Sequence, residues 1–372
     1  MINTILRPTW VEIDLSAITQ NVSIIQSLIG KHTGIIAVVK ADAYGHNAEF
    51  IVKELVKQKV VAFYGVACLE EGIALRKAGI KPKILILGNV YPYHLLPLLF
   101  SYQLTPTVIS IESAVELNKA AKKRKVVLPV HVKVDTGMGR IGSSADDAGA
   151  LIQYIHTKCQ ALLIEGVYTH FSSADSDEWY TRYQYDNFEN VLKSIGKIKI
   201  VHTANSATII RCPSQYYDYV RPGLLLYGLE PFPGVNTRYG FKPVLTWKTK
   251  VVYLKNIQIG QRVSYNGTFI AKTGMTVATL PVGYADGYNR KLSNTGQVLL
   301  HGKRINVIGR VTMDMVMADV TGIKDVRLGD EVVLIGQQGR ERITAEEVAG
   351  LVGTINYEIV CGIGKRVTRI AV

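Results

Sequence analysis

Apolar positions along this chain follow two different rhythms. Between residues 34 and 228, short apolar runs of strand length alternate with stretches whose apolar positions return every three or four residues. The runs are Ile35–Val39, Phe63–Ala67, Ile84–Leu87, Pro106–Ile109, Val126–Val134, Leu162–Thr169, Ile198–His202 and Val220–Tyr227. The helical stretches include Ala48–Val60, Glu70–Ala78, Ala114–Ala121, Ala148–Lys158 and Trp179–Ile195. A near-continuous apolar run suits a strand covered on both faces, and a helix after each strand supplies that cover. Repeated βα units of this kind predict an α/β fold built on a (β/α)8 TIM-type barrel, with an open doubly wound sheet as the alternative.

After about residue 240 the rhythm changes. Val244–Val252, Met275–Leu280, Gln297–Leu300, Arg304–Ile308, Val316–Asp319 and Glu331–Ile335 are short strand-like runs. Turn pairs such as Asn266-Gly267 and Gly329-Asp330 punctuate them, and one late helix is expected at Ala345–Leu351. The pattern predicts a barrel domain over residues 1–240 and a mainly β domain over 241–372, with the first residues, through about Trp10, packing on the β domain. No low-complexity linker separates the two, so the joint at 228–241 should be tight.

Composition narrows the possibilities. Of 372 residues, 48% are apolar, too many for a disordered chain, while 43 basic against 30 acidic side chains leave a net charge of +13. Such a charge raises the question of a nucleic-acid partner. However, the one long basic run, Lys122–Lys125, follows the helical pattern Ser113–Ala121, where the helix dipole favours cations. No zinc-finger, basic-zipper or RNA-binding aromatic signature accompanies it. The four cysteines (Cys68, Cys159, Cys212, Cys361) are far apart, which speaks against a disulfide framework or a structural zinc site. Without a long apolar span or a signal-like start, the chain reads as cytoplasmic, with neither nucleic acid nor membrane as partner and no metal.

In a barrel of this kind chemistry sits at the C-terminal ends of the strands. Those ends carry Lys40, Asn89, Asp135 with Arg140, His170, Asn205 with Ser206, and Arg221 with Pro222 and Gly223. A lysine, a histidine, two arginines and an Asn-Ser pair on one rim suit a small, multiply charged ligand. Lys40 closes a buried strand, where poor hydration lowers an amine's pKa and exposes the neutral nucleophile. A lysine merely snorkelling to the rim is the alternative.

The stretch Ala37-Val38-Val39-Lys40-Ala41-Asp42-Ala43-Tyr44-Gly45-His46 resembles the pyridoxal-phosphate attachment motif of alanine racemases. The likeness continues through Val132–Arg140, Tyr168–Phe171, Ala204-Asn205-Ser206 and Val220–Gly223. It extends into the second domain at Val263–Gly267, Gly283–Gly287, Met313-Asp314 and Asn356-Tyr357-Glu358. It spans nearly the whole chain, in order.

The resemblance implies pyridoxal 5'-phosphate held as a Schiff base on Lys40, with Lys40 serving one face of the substrate and Tyr265, from the partner subunit of a homodimer, the other. It implies that Arg221 meets the pyridine nitrogen, with His170 orienting it, and that Arg140 meets the cofactor phenolate and the substrate carboxylate. Tyr44, Ser206, Tyr357 and the amides of Gly223 and Leu224 would bind the phosphate, beside Asn205. Met313 would offer its backbone N–H to substrate from the partner, and Asp175, Tyr284 and Arg290 match the corridor by which substrate arrives. Lys133 matches a lysine that family members carbamylate; an ion pair with Asp135 is the alternative. The implied reaction is the interconversion of L- and D-alanine, supplying D-alanine for peptidoglycan precursors. Thr312, Met315 and Leu224 depart from common family residues (Cys, Gln, and Ile or Met), which bears on fine tuning more than on the reaction.

Overall fold

Eight parallel strands make up the barrel in the computed structural model, which describes residues 7–372. They are Gly34–Val38, Val61–Val66, Lys83–Ile86, Thr107–Val108, Leu128–Asp135, Leu162–Tyr168, Ile200–His202 and Tyr219–Val220. The last strand pairs back onto the first, with Val220 opposite Ile35. A parallel bridge between Leu85 and Thr105 joins the third strand to the start of the fourth, so the sheet meets itself. Amphipathic helices such as Ala48–Gln58, Ala145–Lys158 and Glu178–Ile195 cover it outside. The helix Ile111–Arg124 opens on a Ser110/Ser113 capping box and carries Lys122, Lys123 and Arg124 in its last turn, where the dipole favours them.

One expected strand is corrected. The ladder stops at Val220, and Leu224–Tyr227 winds into a 3-10 turn instead of extending the strand. Pro222 cannot donate to a ladder, and all four side chains of the turn are buried. A short run buried on every side has no period by which strand and helix differ.

A second sheet gathers the mainly β part. Its strand order places Thr9–Ile13 between Leu245–Lys250, antiparallel, and Thr368–Ala371, parallel. The N-terminal strand therefore belongs to this sheet, and the helix Leu15–Ile29 leads the chain away into the barrel. The wholly buried Asp286 ties this region together, accepting from Arg7 and from Arg366 Nε at 2.6 Å. At the joint, Gly228 has φ 64°, and a Cβ there would lie 1.9 Å from the Lys242 carbonyl, so the two backbones cross in contact. No described helix is long and apolar enough to cross a membrane.

Candidate functional site

The first barrel strand ends in an unusual backbone. Ala41, Asp42, Ala43 and Tyr44 all have φ between 52° and 55°, a left-handed turn directly after Lys40. For residues bearing a Cβ this conformation costs about 1–2 kcal/mol each, so surrounding contacts must hold it. Glu71 does so from the next βα unit: its carboxylate accepts from Ala41 N at 2.8 Å and Ala67 N at 2.7 Å. Asp42 accepts from Ala48 N, while Arg369 of the second domain reaches the Gly45 carbonyl at 3.1 Å. The turn aims Lys40 over the barrel rim. Burial and the nearby Arg140 guanidinium lower the Lys40 pKa, against a smaller opposing pull from Glu71.

Beneath Lys40 lies a cationic floor. Lys133 is 4% exposed and points into the barrel, with Nζ 5.8 Å from the Tyr168 ring centroid. Burial, then Arg140 and Arg221, bring its pKa down to about 8. No ion pair joins it to Asp135, whose carboxylate is occupied by the backbone N–H groups of Gly137, Met138, Gly139 and Arg140. That cage shapes the loop bearing the exposed Arg140.

Arg221 follows the last strand and is buried. Its Nη1 donates to His202 Nδ1 and to the His202 carbonyl, both at 2.7 Å. Nη2 donates to the carbonyls of Thr169 at 2.5 Å and Thr203 at 2.7 Å, with His170 Nδ1 farther off at 3.4 Å. Among the described residues nothing accepts from Nε–H, which leaves one donor for a ligand. Burial lowers the guanidinium to about 10, so it remains a cation at neutral pH. His202, which stacks on Tyr168 at 4.6 Å, is thus the ring that holds Arg221 most closely.

A pocket of hydroxyls and amides adjoins it. Asn205 caps the helix Ser206–Arg211 by accepting from Thr208 N and donates Nδ2 to the Phe171 carbonyl, which sets Ser206 in place. The Ser206 hydroxyl accepts from Gly223 N at 3.0 Å and Leu225 N at 3.3 Å. Leu224 is buried between them. A Cβ on Gly223 would come within 2.5 Å of the Tyr44 hydroxyl, so only glycine leaves that approach open. The Tyr44 and Tyr357 rings are 5.8 Å apart, and neither hydroxyl has a protein partner among the described residues. Burial raises both phenols, Tyr357 to about 12, so they remain donors. Hydroxyls and backbone N–H groups of this kind suit a phosphate.

The remaining expected residues stand elsewhere. Tyr265 sits in a 3-10 turn between Arg262–Val263 and Phe269–Ile270 and is 68% exposed. Met313 and Tyr284 are exposed together, joined through Tyr284 N to the Thr312 carbonyl and Ala285 N to the Met313 carbonyl. Arg290 is exposed in the 3-10 turn Arg290–Leu292, and Asp175 is exposed on the barrel loop facing Tyr357. Among the described residues no hydrogen bond or ion pair links Tyr265 or Met313 to the Lys40 group. Asn89 contacts Tyr93 rather than that group. Sequence reasoning missed His202 and Glu71, although a histidine ending a buried strand and a glutamate opening a rim helix were both visible in the chain.

Lysine, guanidinium and hydroxyl groups gathered on the rim of a barrel with an appended β domain define an enzyme of the alanine racemase fold. Residues 13–231 match the family model "Alanine racemase, N-terminal domain", and residues 244–371 match "Alanine racemase, C-terminal domain". The chain belongs to the alanine racemase family, whose members are isomerases. It is 48% identical over 370 residues to an alanine racemase of Halothermothrix orenii, covering 98% of this chain and 97% of that one. The solved alanine racemase of Clostridium difficile 630 superposes with a TM-score of 0.92 at 37% identity, covering 99% and 97% of the two chains. That of Bacillus anthracis with bound L-Ala-P gives 0.91 at 38% identity, covering 98% and 95%.

Proposed function

We propose that the chain is a pyridoxal-phosphate-dependent alanine racemase that interconverts L- and D-alanine with two bases. It acts as a cytoplasmic homodimer and supplies D-alanine for peptidoglycan precursors. The donor set fits the cofactor: Lys40 would hold it covalently, and the free Nε–H of Arg221 would meet its ring nitrogen. Tyr44, Ser206, Tyr357 and the Leu224 amide would hold its phosphate, with the Gly223 amide turning to it from the Ser206 hydroxyl, next to the opening that Gly223 preserves. When bound, the cofactor supplies the electron withdrawal that acidifies the α-proton of an attached amino acid.

The chain's own residues do the rest. Lys40 Nζ, its charge disfavoured by burial, takes or returns the α-proton on the D face. Tyr265 Oη does so on the L face, so each turnover removes one proton and returns one. Its 68% exposure supports a role across a subunit boundary, where a second copy brings Tyr265 and Met313 to the Lys40 group. Arg221 stays protonated, so the ring nitrogen meets a donor that does not release its proton. Arg140 binds the substrate carboxylate, His170 lines the same wall, and Asp175, Tyr284 and Arg290 border the approach. Lys133, buried beside the Arg140 and Arg221 guanidiniums and not ion-paired with Asp135, adds as a neutral amine to carbon dioxide. One N–C bond forms, one proton is released, and the carbamate anion offsets the neighbouring guanidinium of Arg140.

The observation that carries this reading is Lys40 itself, a depressed-pKa amine aimed from a strained turn into a ring of anion-binding groups. Purified protein should show a yellow, borohydride-reducible chromophore and convert L-alanine to D-alanine, with L-serine turned over more slowly. A colourless protein, or a chromophore unchanged in Lys40→Ala, refutes the attachment.

A further inference from the structure

A line of polar side chains runs through the barrel interior, from Arg221 at the rim to the opposite, N-terminal mouth. His202 Nδ1 takes the Arg221 Nη1 hydrogen bond at 2.7 Å, and His202 Nε2 lies 2.9 Å from His131 Nδ1. His131 Nε2 faces Glu165 Oε2 at 3.6 Å, and Glu165 Oε1 accepts from Lys83 at the mouth. At 3.6 Å the pair of His131 Nε2 and Glu165 Oε2 is not a closed hydrogen bond, and these two buried atoms have no hydrogen-bond partner among the described residues.

The backbone is built for this line. The strand Leu162–Tyr168 carries one extra residue against its neighbour, since Val130 pairs with Ile164 and His131 with Gly166, leaving Glu165 at the irregularity. A Cβ on Gly166 would lie 2.6 Å from the His131 ring, so the ring occupies the space that a side chain would need.

Hydrogen-bond direction follows from the two ends. A guanidinium only donates, so His202 Nδ1 accepts and its proton sits on Nε2. His131 Nδ1 must then accept, and its own Nε2–H can point only at the Glu165 carboxylate. Burial keeps both rings neutral, which leaves one proton on each. Every donor thus points from Arg221 toward Glu165.

We propose that Glu165 is a positioning residue for the reaction: as the terminal acceptor of the interior line, it fixes His131 and His202 as Nε2–H tautomers and so holds Arg221 through His202 Nδ1. Its consequence for turnover rests on the role of Arg221 proposed above, whereas the tautomers do not.

Glu165→Gln separates this role from simple packing. The Lys83 ammonium requires the amide oxygen, which turns the NH2 toward His131 Nε2 and forces the proton onto Nδ1. His202 must follow, setting its Nδ1–H against an Arg221 N–H. The test is two-bond 1H–15N correlation of histidine-labelled holoenzyme without substrate, with His131 and His202 assigned from single-histidine variants, beside kcat/KM for alanine. We expect Nε2–H at both rings in wild type and in Lys83→Met. In Glu165→Gln we expect Nδ1–H at both rings and a loss in kcat/KM of about tenfold or more. Lys83→Met combined with Glu165→Gln frees the amide to turn its oxygen to His131, and should restore both tautomers and most of the lost rate. Nδ1–H at His202 in wild type overturns the proposal. So do unchanged tautomers in Glu165→Gln, or flipped tautomers with undiminished kcat/KM. A wild type with the expected tautomers and no racemisation overturns the proposed function instead, and with it the consequence for turnover.

Discussion

Replacing Ala41 by glycine tests the left-handed turn that aims Lys40. In an ordinary helix interior, Ala→Gly costs about 1 kcal/mol because glycine loses more backbone freedom on folding. At Ala41, with φ 52° and ψ 48°, the Cβ is itself the source of strain, about 1–2 kcal/mol. Ala41 is exposed, so losing its methyl group forfeits little packing. Subtracting the glycine entropy of about 0.5–1 kcal/mol leaves a net effect between roughly zero and 1.5 kcal/mol in favour of the variant. Urea denaturation midpoints, at fixed protein and cofactor concentration, should place Ala41→Gly at or above wild type. Ala120→Gly, inside the right-handed helix Ile111–Arg124, should fall by about 1 kcal/mol in the same assay. If both variants lose equally, residue 41 is not left-handed and the account of how Lys40 is aimed fails.

Other outcomes follow from individual groups. Lys133 sheds its proton near pH 8 when folded but near 10.5 when unfolded, so the unfolded chain binds the extra proton between those values and stability rises with pH across that window. In carbon-dioxide-free buffer the rise attributable to Lys133 should be about 3 kcal/mol and absent from Lys133→Met; equal pH slopes refute it. With 13C-bicarbonate, a carbamate carbon signal should appear in wild type and not in that variant. Gly223→Ala should weaken cofactor binding about tenfold or more, read by absorbance titration, because its Cβ displaces the Tyr44 hydroxyl; unaltered affinity would place the phosphate elsewhere. Burial would raise the Asp286 pKa, but hydrogen bonds from Arg7 and Arg366 outweigh it and lower the pKa below 3.8. Its contribution is therefore present above pH 3.8 and lost as acid titrates the folded chain. Asp286→Asn should cost about 2 kcal/mol at neutral pH and flatten the acid limb of the stability curve.

Much of the barrel was legible because strands such as Ile35–Val39 and Ile84–Leu87 are buried on both faces and helices such as Ala148–Lys158 are amphipathic. Candidate residues on the rim followed from strand ends alone, and Lys40 is the clearest case. Other features depend on pairing between distant segments, which leaves no local period. Thr9–Ile13 has no pattern that names Leu245–Lys250 and Thr368–Ala371 as its partners. The left-handed turn was hidden because Ala41 and Ala43 ordinarily favour right-handed helix; Glu71, thirty residues from Ala41 in sequence, holds it. His131 and His202 sit in strands whose alternation shows burial but not that the two rings touch across the barrel. The short 3-10 turn at Leu224–Tyr227 was mistaken for strand for a related reason, since full burial erases periodicity.

The central claim, that Lys40 of one chain and Tyr265 of another complete each site, is tested most directly by subunit mixing. Lys40→Ala and Tyr265→Phe homodimers should each be nearly inactive in converting L-alanine to D-alanine. After joint unfolding and refolding in equal amounts, half the dimers are mixed and carry one intact site, so about a quarter of wild-type activity should return. No recovery, with mixed dimers verified by mass, or a fully active Tyr265→Phe homodimer, contradicts a site shared between chains.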